Sequence, residues 1–175
     1  MRNTWIRRIS AIRKDGVESA INLTCGLNCI IGASNTGKTR IAKTVEFACG
    51  GKELPFTDKT AYEIAQVTFV TNGGEVSLSR SIHVQNTIHV KSSNPMIVPG
   101  SYSVSSRAGK SINTVLLALL GVESTRRIAT NETYHTVAFT WNAIRHLMIV
   151  PEDQIGRARP SILFPKSTSL ATLTQ

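Results

Sequence analysis

The sequence has no apolar run approaching the roughly 18 residues that a membrane-spanning helix needs. Its opening, Met1 to Ser10, also lacks the apolar stretch of a secretion signal. A cytoplasmic protein that does not enter a membrane is the expectation. Aspartate is scarce, with only Asp15, Asp58 and Asp153 present. No Asn-Lys-x-Asp guanine-reading motif can therefore be built where a GTPase needs it. The one Asp-x-x-Gly, Asp153-Gln154-Ile155-Gly156, stands too late in the chain for a guanine site to follow, which argues against a small GTPase. Cysteine is limited to Cys25, Cys29 and Cys49, an odd number at spacings that fit neither a zinc ribbon nor a redox Cys-x-x-Cys. Reduced thiols, partly buried, are expected. A dense basic tail is missing as well, and the loop-like segment Lys91 to Gly109 shows no repeat.

What is present describes a globular chain. Its 175 residues are close to one ordinary domain, and a 41% hydrophobic content is enough for a sizeable core. The 20 Lys and Arg against 11 Asp and Glu leave a net charge of +9, which predicts attraction to a polyanion such as a nucleotide, a nucleic acid or an acidic partner. The arginines gather at Arg7, Arg8 and Arg13, at Arg126 and Arg127, and at Arg157 and Arg159. Most of them are expected on a solvated surface.

Trp5 to Ile12 and Ser19 to Thr24 are β-prone and flank a Lys14-Asp15-Gly16 turn, which predicts a hairpin. After Gly26, the short apolar run Leu27 to Ile31 predicts a buried strand feeding into Gly32. From Lys38 to Cys49, Ile41, Ala42, Val45, Phe47 and Ala48 recur at helical spacing until Gly50-Gly51 ends the pattern. Strands are predicted at Ile64 to Val70 and Val76 to Ile82 around Thr71-Asn72-Gly73-Gly74, with a further one at Ile88 to Val90. Lys91 to Gly109 has loop composition, and Ile112 to Leu120 and Val137 to Val150 have helical spacing.

The sharpest motif is the G-x-x-x-x-G-K-T formed by Gly32, Ala33, Ser34, Asn35, Thr36, Gly37, Lys38 and Thr39, placed between a predicted strand and a predicted helix. Its glycines let the backbone curl so that several N–H groups face phosphate oxygens, and the helix N-terminus adds its partial positive charge. Lys38 is expected to reach the β- and γ-phosphates, and Thr39 to offer its hydroxyl to Mg²⁺. Ser34 to Gly37 would give mainly backbone donors, with Arg40 beside them in the nucleotide-binding set. The bland alternative is a glycine turn before a helix. An acidic partner for this loop is poorly supplied. The sole Walker B candidate is Leu147 to Asp153, where Pro151 intervenes and the apolar residues continue a helical pattern.

The run Gly26-Leu27-Asn28-Cys29-Ile30-Ile31-Gly32, the loop after it and the stretch Ile41 to Gly51 resemble the opening of ABC-type ATPase heads of the SbcC, SMC and RecF class, within the AAA family ATPases. Gly74-Glu75, Ser79-Arg80-Ser81-Ile82 and Leu119-Leu120-Gly121-Val122 resemble later pieces of the same heads, and Ala143 to Ile155 resembles the approach to their Q-loop. The resemblance implies an α/β P-loop NTPase fold, a head lobe with a mixed sheet and an antiparallel β portion. It implies ATP and Mg²⁺ as ligands and Glu152 or Gln154 at the catalytic Q-loop position. The loop departs from the usual Pro-Asn-Gly-Ser, carrying Ala33-Ser34-Asn35-Thr36. No Ser-Gly-Gly signature, Asp-Glu ending or late switch histidine follows, and His83, His89, His135 and His146 are expected to be ordinary sheet, loop or helix residues.

These features predict a nucleotide-binding domain over 1–160, the N-terminal part of a head, and an irregular tail over 161–175. The leading expectation is an ATP-binding half-head of a DNA-repair or chromosome-maintenance type ATPase. It would be incomplete for hydrolysis without the C-terminal half of the head or a second ATPase copy, with DNA as a possible partner. The alternatives are a binding-only regulatory module, and a self-contained P-loop ATPase or kinase using Glu152 or Asp153 for Mg²⁺. The position of Leu147 to Val150 separates them: a strand beside the P-loop favours the self-contained enzyme, and a helix favours the other two.

Overall fold

The computed structural model describes residues 4–57, 60–105, 108–123, 127–129 and 136–150. The chain divides into two compact units, Met1–Val115 and Leu116–Gln175.

The first unit is built on a six-stranded sheet of β1 (Trp5–Arg13), β2 (Glu18–Asn22), β3 (Tyr62–Thr71), β4 (Gly74–Ser81), β5 (Thr87–Ser92) and β6 (Gly100–Ser103). Spatial order is β2-β1-β3-β4-β5-β6, and every strand pair is antiparallel. Side chains alternate between the faces of each strand, so the register sorts them by polarity. One cross-strand row runs Ile21, Ile9, Val67, Leu78, Val90. The neighbouring row runs Asn22, Arg8, Thr68, Ser77, Lys91 on the other face. There the Thr68 and Ser77 hydroxyls bond each other at 2.7 Å.

Helix α1 (Lys38–Ala48) covers the apolar face. Ala48 packs with Ile9 and Val67 while Ile41 and Val45 lie against the same cluster, and Phe47 joins Phe56, Ala65 and Ile82. The helix ends where its sequence stops being helical. Gly50, at φ +95°, donates to the Phe47 carbonyl at 3.0 Å, and Gly51 donates to the Glu46 carbonyl at 2.8 Å. This is a Schellman closure, which glycine adopts without a Cβ penalty.

Helix α2 (Ile112–Leu119) straddles the division between the units. The second unit holds a two-stranded ribbon, β7 (Arg127–Ala129) with β8 (Thr136–Ala138), and helix α3 (Trp141–Met148). The helix predicted over Val137 to Val150 is thus shorter. Thr140, at φ −128° and ψ 155°, is the extended cap from which α3 starts, and the residues before it pair as β8. Strand β6 lies inside the stretch of loop composition because its backbone pairs with β5, which composition does not register.

Leu27 to Ile31 departs most from expectation. The predicted buried strand does not form among the described residues: the segment has no ladder partner, and Leu27 and Ile31 are 94% and 92% exposed. A parallel strand needs neighbours on both sides to satisfy its backbone and cover its side chains, and the antiparallel sheet supplies none here. The mixed sheet expected from the resemblance is therefore an antiparallel one in these residues, in an α/β chain.

Candidate nucleotide-binding site

Asn28 closes the turn that launches the segment. Its side-chain oxygen accepts the Thr24 backbone N–H at 3.0 Å, and its amide donates to the carbonyls of Thr24 and Gly26 at 2.8 and 3.0 Å. The chain then runs exposed to the glycine loop. There Asn35 has φ +62° and Gly37 φ +90°, two left-handed residues in three, a curl of the kind with which a backbone presents its N–H groups to an anion. The Thr36 hydroxyl donates to the Ala33 carbonyl at 2.8 Å, and a Cβ on Gly32 would stand 3.0 Å from that hydroxyl oxygen. Glycine at 32 permits the close approach.

The Lys38 ammonium folds back over the loop it follows. Nζ donates to the Gly32 carbonyl at 2.7 Å and to the Ala33 carbonyl at 2.6 Å. A third, longer contact of 3.4 Å runs from Nζ to the Thr36 hydroxyl oxygen, so all three ammonium donors face the loop, the third only weakly. Lys38 opens α1, whose first turn holds no acidic residue and whose N-cap makes no side-chain bond. The orphan N–H groups and the helix dipole there are left for an anion. Thr39 and Arg40 are exposed beside Lys38, and their side chains have no protein partner among the described residues. Thr39 thus suits a single protein oxygen on Mg²⁺ whose other ligands come from phosphate and water. No group of three His, Cys, Asp or Glu able to hold a metal occurs among the described residues.

The far end of α1 is held by a buried charged group to which the sequence reading gave no role. Arg80 on β4 is 4% exposed and donates from Nη1 to the Phe47 and Gly51 carbonyls, both at 2.6 Å. Its Nε and Nη2 donate to the Gln85 carbonyl at 2.8 and 2.6 Å, and its guanidinium carbon lies 4.0 Å from the Phe47 ring centroid. Burial pushes this guanidinium down to about 10, which leaves it charged at neutral pH. The signal was available: Arg80 falls on the core side of the alternation Val76, Leu78, Arg80, where an apolar residue is due.

Several other predicted residues are placed elsewhere or outside the described residues. Glu152, Asp153, Gln154, Arg157 and Arg159 lie outside them, as do Arg126 and His135. The Walker B candidate is not a strand where it is described, since α3 runs through Met148 and only Ile149 and Val150 follow. Arg127 donates to the Thr136 hydroxyl and carbonyl at 3.0 and 2.7 Å, holding the β7–β8 ribbon. Near the start, Arg7 pairs with Glu75, Arg8 with Glu18 at 2.8 Å, and Arg13 with Asp15 at 3.2 Å. His83, exposed in the turn after β4, lies 3.6 Å from Glu63, and the ring of His89, exposed on β5, bonds the Ser101 hydroxyl at 3.0 Å. Cys25, Cys29 and Cys49 are free thiols, the first two exposed and the third buried. Among the described residues no helix is long and apolar enough to cross a membrane.

No protein-family model and no curated protein sequence matches this chain. Among solved structures, one from a study of the structural biochemistry of ATP-driven dimerization and DNA-stimulated activation of SMC ATPases superimposes over 86% of this chain and 95% of its own. The identity is 11% and the TM-score 0.43, a distant likeness.

Proposed function

We propose that the chain binds ATP with Mg²⁺ through residues 32–39 and Arg40, as one part of an ATPase head of the SMC and SbcC type. The observation that carries this reading is the closed loop in which Lys38 spans the Gly32 and Ala33 carbonyls at the opening of α1. Backbone N–H groups of the curled loop would hold the β-phosphate, and the Lys38 ammonium would reach the γ-phosphate by giving up its long 3.4 Å contact with the Thr36 hydroxyl. Thr39 would hold Mg²⁺, which when bound neutralises charge on the phosphate oxygens. Glu152 and Gln154 are the candidates for the Q-loop contact, and 1–160 is the candidate extent of the nucleotide-binding domain.

The reading includes incompleteness. Leu27 to Ile31 offers unpaired backbone and apolar side chains directly before the loop, which suits pairing with strands from the other half of a head or from a second copy. The helical course of 141–148 speaks against the self-contained enzyme, which needs a strand there. DNA is a weaker part of the proposal, since the arginines of β1 are already paired with carboxylates.

Titration with ATP, with and without Mg²⁺, tests the central claim. Saturable binding that Mg²⁺ strengthens and Lys38→Ala weakens is the expected result, and no difference between the two proteins would sink it. Duplex DNA at two salt concentrations tests the peripheral one.

A further inference from the structure

We infer that Arg80 is a positioning residue for the phosphate loop: it pins the carboxyl end of α1 to the β4–β5 turn and so sets where the helix presents Lys38 and Thr39. The inference rests on the reading of residues 32–39 as a phosphate site. A buried guanidinium is costly unless its donors are satisfied, and no carboxylate pairs with Arg80 among the described residues. Among the described residues its acceptors are backbone carbonyls from two places. Phe47 and Gly51 belong to the end of α1, and Gln85 to the turn after β4.

The Phe47 carbonyl already receives the Gly50 N–H of the Schellman closure, so Arg80 occupies its second lone pair. The guanidinium carbon also lies over the Phe47 ring, 4.0 Å from its centroid, a further attraction that ties the group to the end of α1. Helix α1 has no basic residue in its own last turn, and Arg80 supplies the positive charge that favours the carboxyl end of the dipole.

An 11-residue helix is about 16 Å long and stiff, so fixing one end fixes the other. The amino end needs such a constraint. Lys38, Thr39 and Arg40 are exposed, and the bonds that hold the loop before them run within the segment itself, from the Thr36 hydroxyl and the Lys38 ammonium to the Gly32 and Ala33 carbonyls. A purely structural filler at position 80 is served by an apolar side chain, because replacing a buried charge with well-packed apolar atoms is often neutral or stabilising. An apolar side chain cannot hold two helix-end carbonyls and a turn carbonyl in one plane.

The test uses the full chain and compares Arg80→Met, Arg80→Lys and, as a control elsewhere in the sheet core, Val90→Ala. Melting temperature, circular dichroism and ATP affinity are measured for each. Arg80→Met is expected to fold and to lose ATP affinity between about 10- and 100-fold, the scale on which displaced supporting groups act. Arg80→Lys, a point donor without the fork, is expected to regain part of it. Val90→Ala is expected to lower the melting temperature while leaving ATP affinity unchanged. Folded Arg80→Met that binds within about twofold of the wild type overturns the inference, as does a Val90→Ala affinity loss matching its stability loss. If Arg80→Met does not fold, Arg80→Lys decides by the same criterion. Wild-type protein that binds no ATP overturns the nucleotide reading and this inference together, a pattern distinct from intact binding in the Arg80 variants.

Discussion

The Lys38 ammonium lies 2.7 Å from the carbonyl oxygen of Gly32, six residues earlier, and this contact closes the glycine loop into a ring. A lysine in that ring has two tasks, holding the loop shut and presenting a charge to phosphate. Lys38→Ala removes both while leaving α1 anchored by Ala48 and Phe47. ATP affinity is expected to fall by about 1.5 to 3 kcal/mol, the scale of a charge-assisted hydrogen bond, with an unchanged circular dichroism spectrum. Isothermal titration of the two proteins reads the difference directly.

Turnover is expected to be far weaker than binding. No group of three His, Cys, Asp or Glu able to hold a metal occurs among the described residues, and the stretch that leads toward the predicted carboxylate candidates is helical through Met148 instead of a strand. Phosphoryl transfer depends on groups that orient water and stabilise developing charge. The purified chain should therefore hydrolyse ATP well below about 1 per second, the low end of ordinary enzymes. Activity above that level, lost in Lys38→Ala, would return the self-contained enzyme to first place.

Much of the frame was legible because it is local. The β3–β4 hairpin is announced by alternation on both sides of Thr71-Asn72-Gly73-Gly74, and the end of α1 by Gly50-Gly51. The glycine loop is also local, and its curl appears where the motif stands. What escaped depends on distant partners. Leu27 to Ile31 has the composition of a buried strand, but burial needs neighbouring strands that this stretch of sequence does not contain. Strand β6 exists through pairing with β5, and Arg80 is polar at a core position because its acceptors lie 29 and 33 residues away at Gly51 and Phe47.

The exposed segment makes a stability prediction. Ile31 is 92% exposed, so Ile31→Ser should change unfolding free energy by less than about 0.5 kcal/mol, as ordinary surface substitutions do. Leu78→Ala, at a fully buried site in the central row, should cost about 2 to 5 kcal/mol. Urea melts of both variants give the comparison. A large loss in Ile31→Ser would mean that the segment is covered in solution.

Thiol chemistry separates the three cysteines. Cys25 and Cys29 are exposed, whereas Cys49 is buried at the end of α1, where burial pushes its thiol up to about 12. Only the thiolate attacks a disulfide reagent, so Cys49 should be silent in the native protein. An aromatic disulfide reagent should therefore label two thiols per chain under native conditions and three in denaturant. Three fast thiols in the native protein would show that the carboxyl end of α1 opens.

The Arg8–Glu18 pair across β1 and β2 predicts an acid-side loss of stability. Arg8 donates to both Glu18 oxygens, from Nη2 at 2.8 Å and Nε at 3.2 Å, and this hydrogen bonding holds the Glu18 carboxyl below its ordinary value of 4.5. A carboxyl whose pKa is lower folded than unfolded stabilises the fold fully above the unfolded value. That contribution disappears as pH falls from there through the folded value. Both side chains are about a third exposed, so the effect is small and screened by salt. Wild type should thus exceed Glu18→Gln in stability at pH 7, and the gap should be smaller at pH 3 and narrow in high salt. Urea melts of the two proteins at both pH values test this. A gap that stays the same at pH 3 would assign the difference to packing at the edge strand and not to the ion pair.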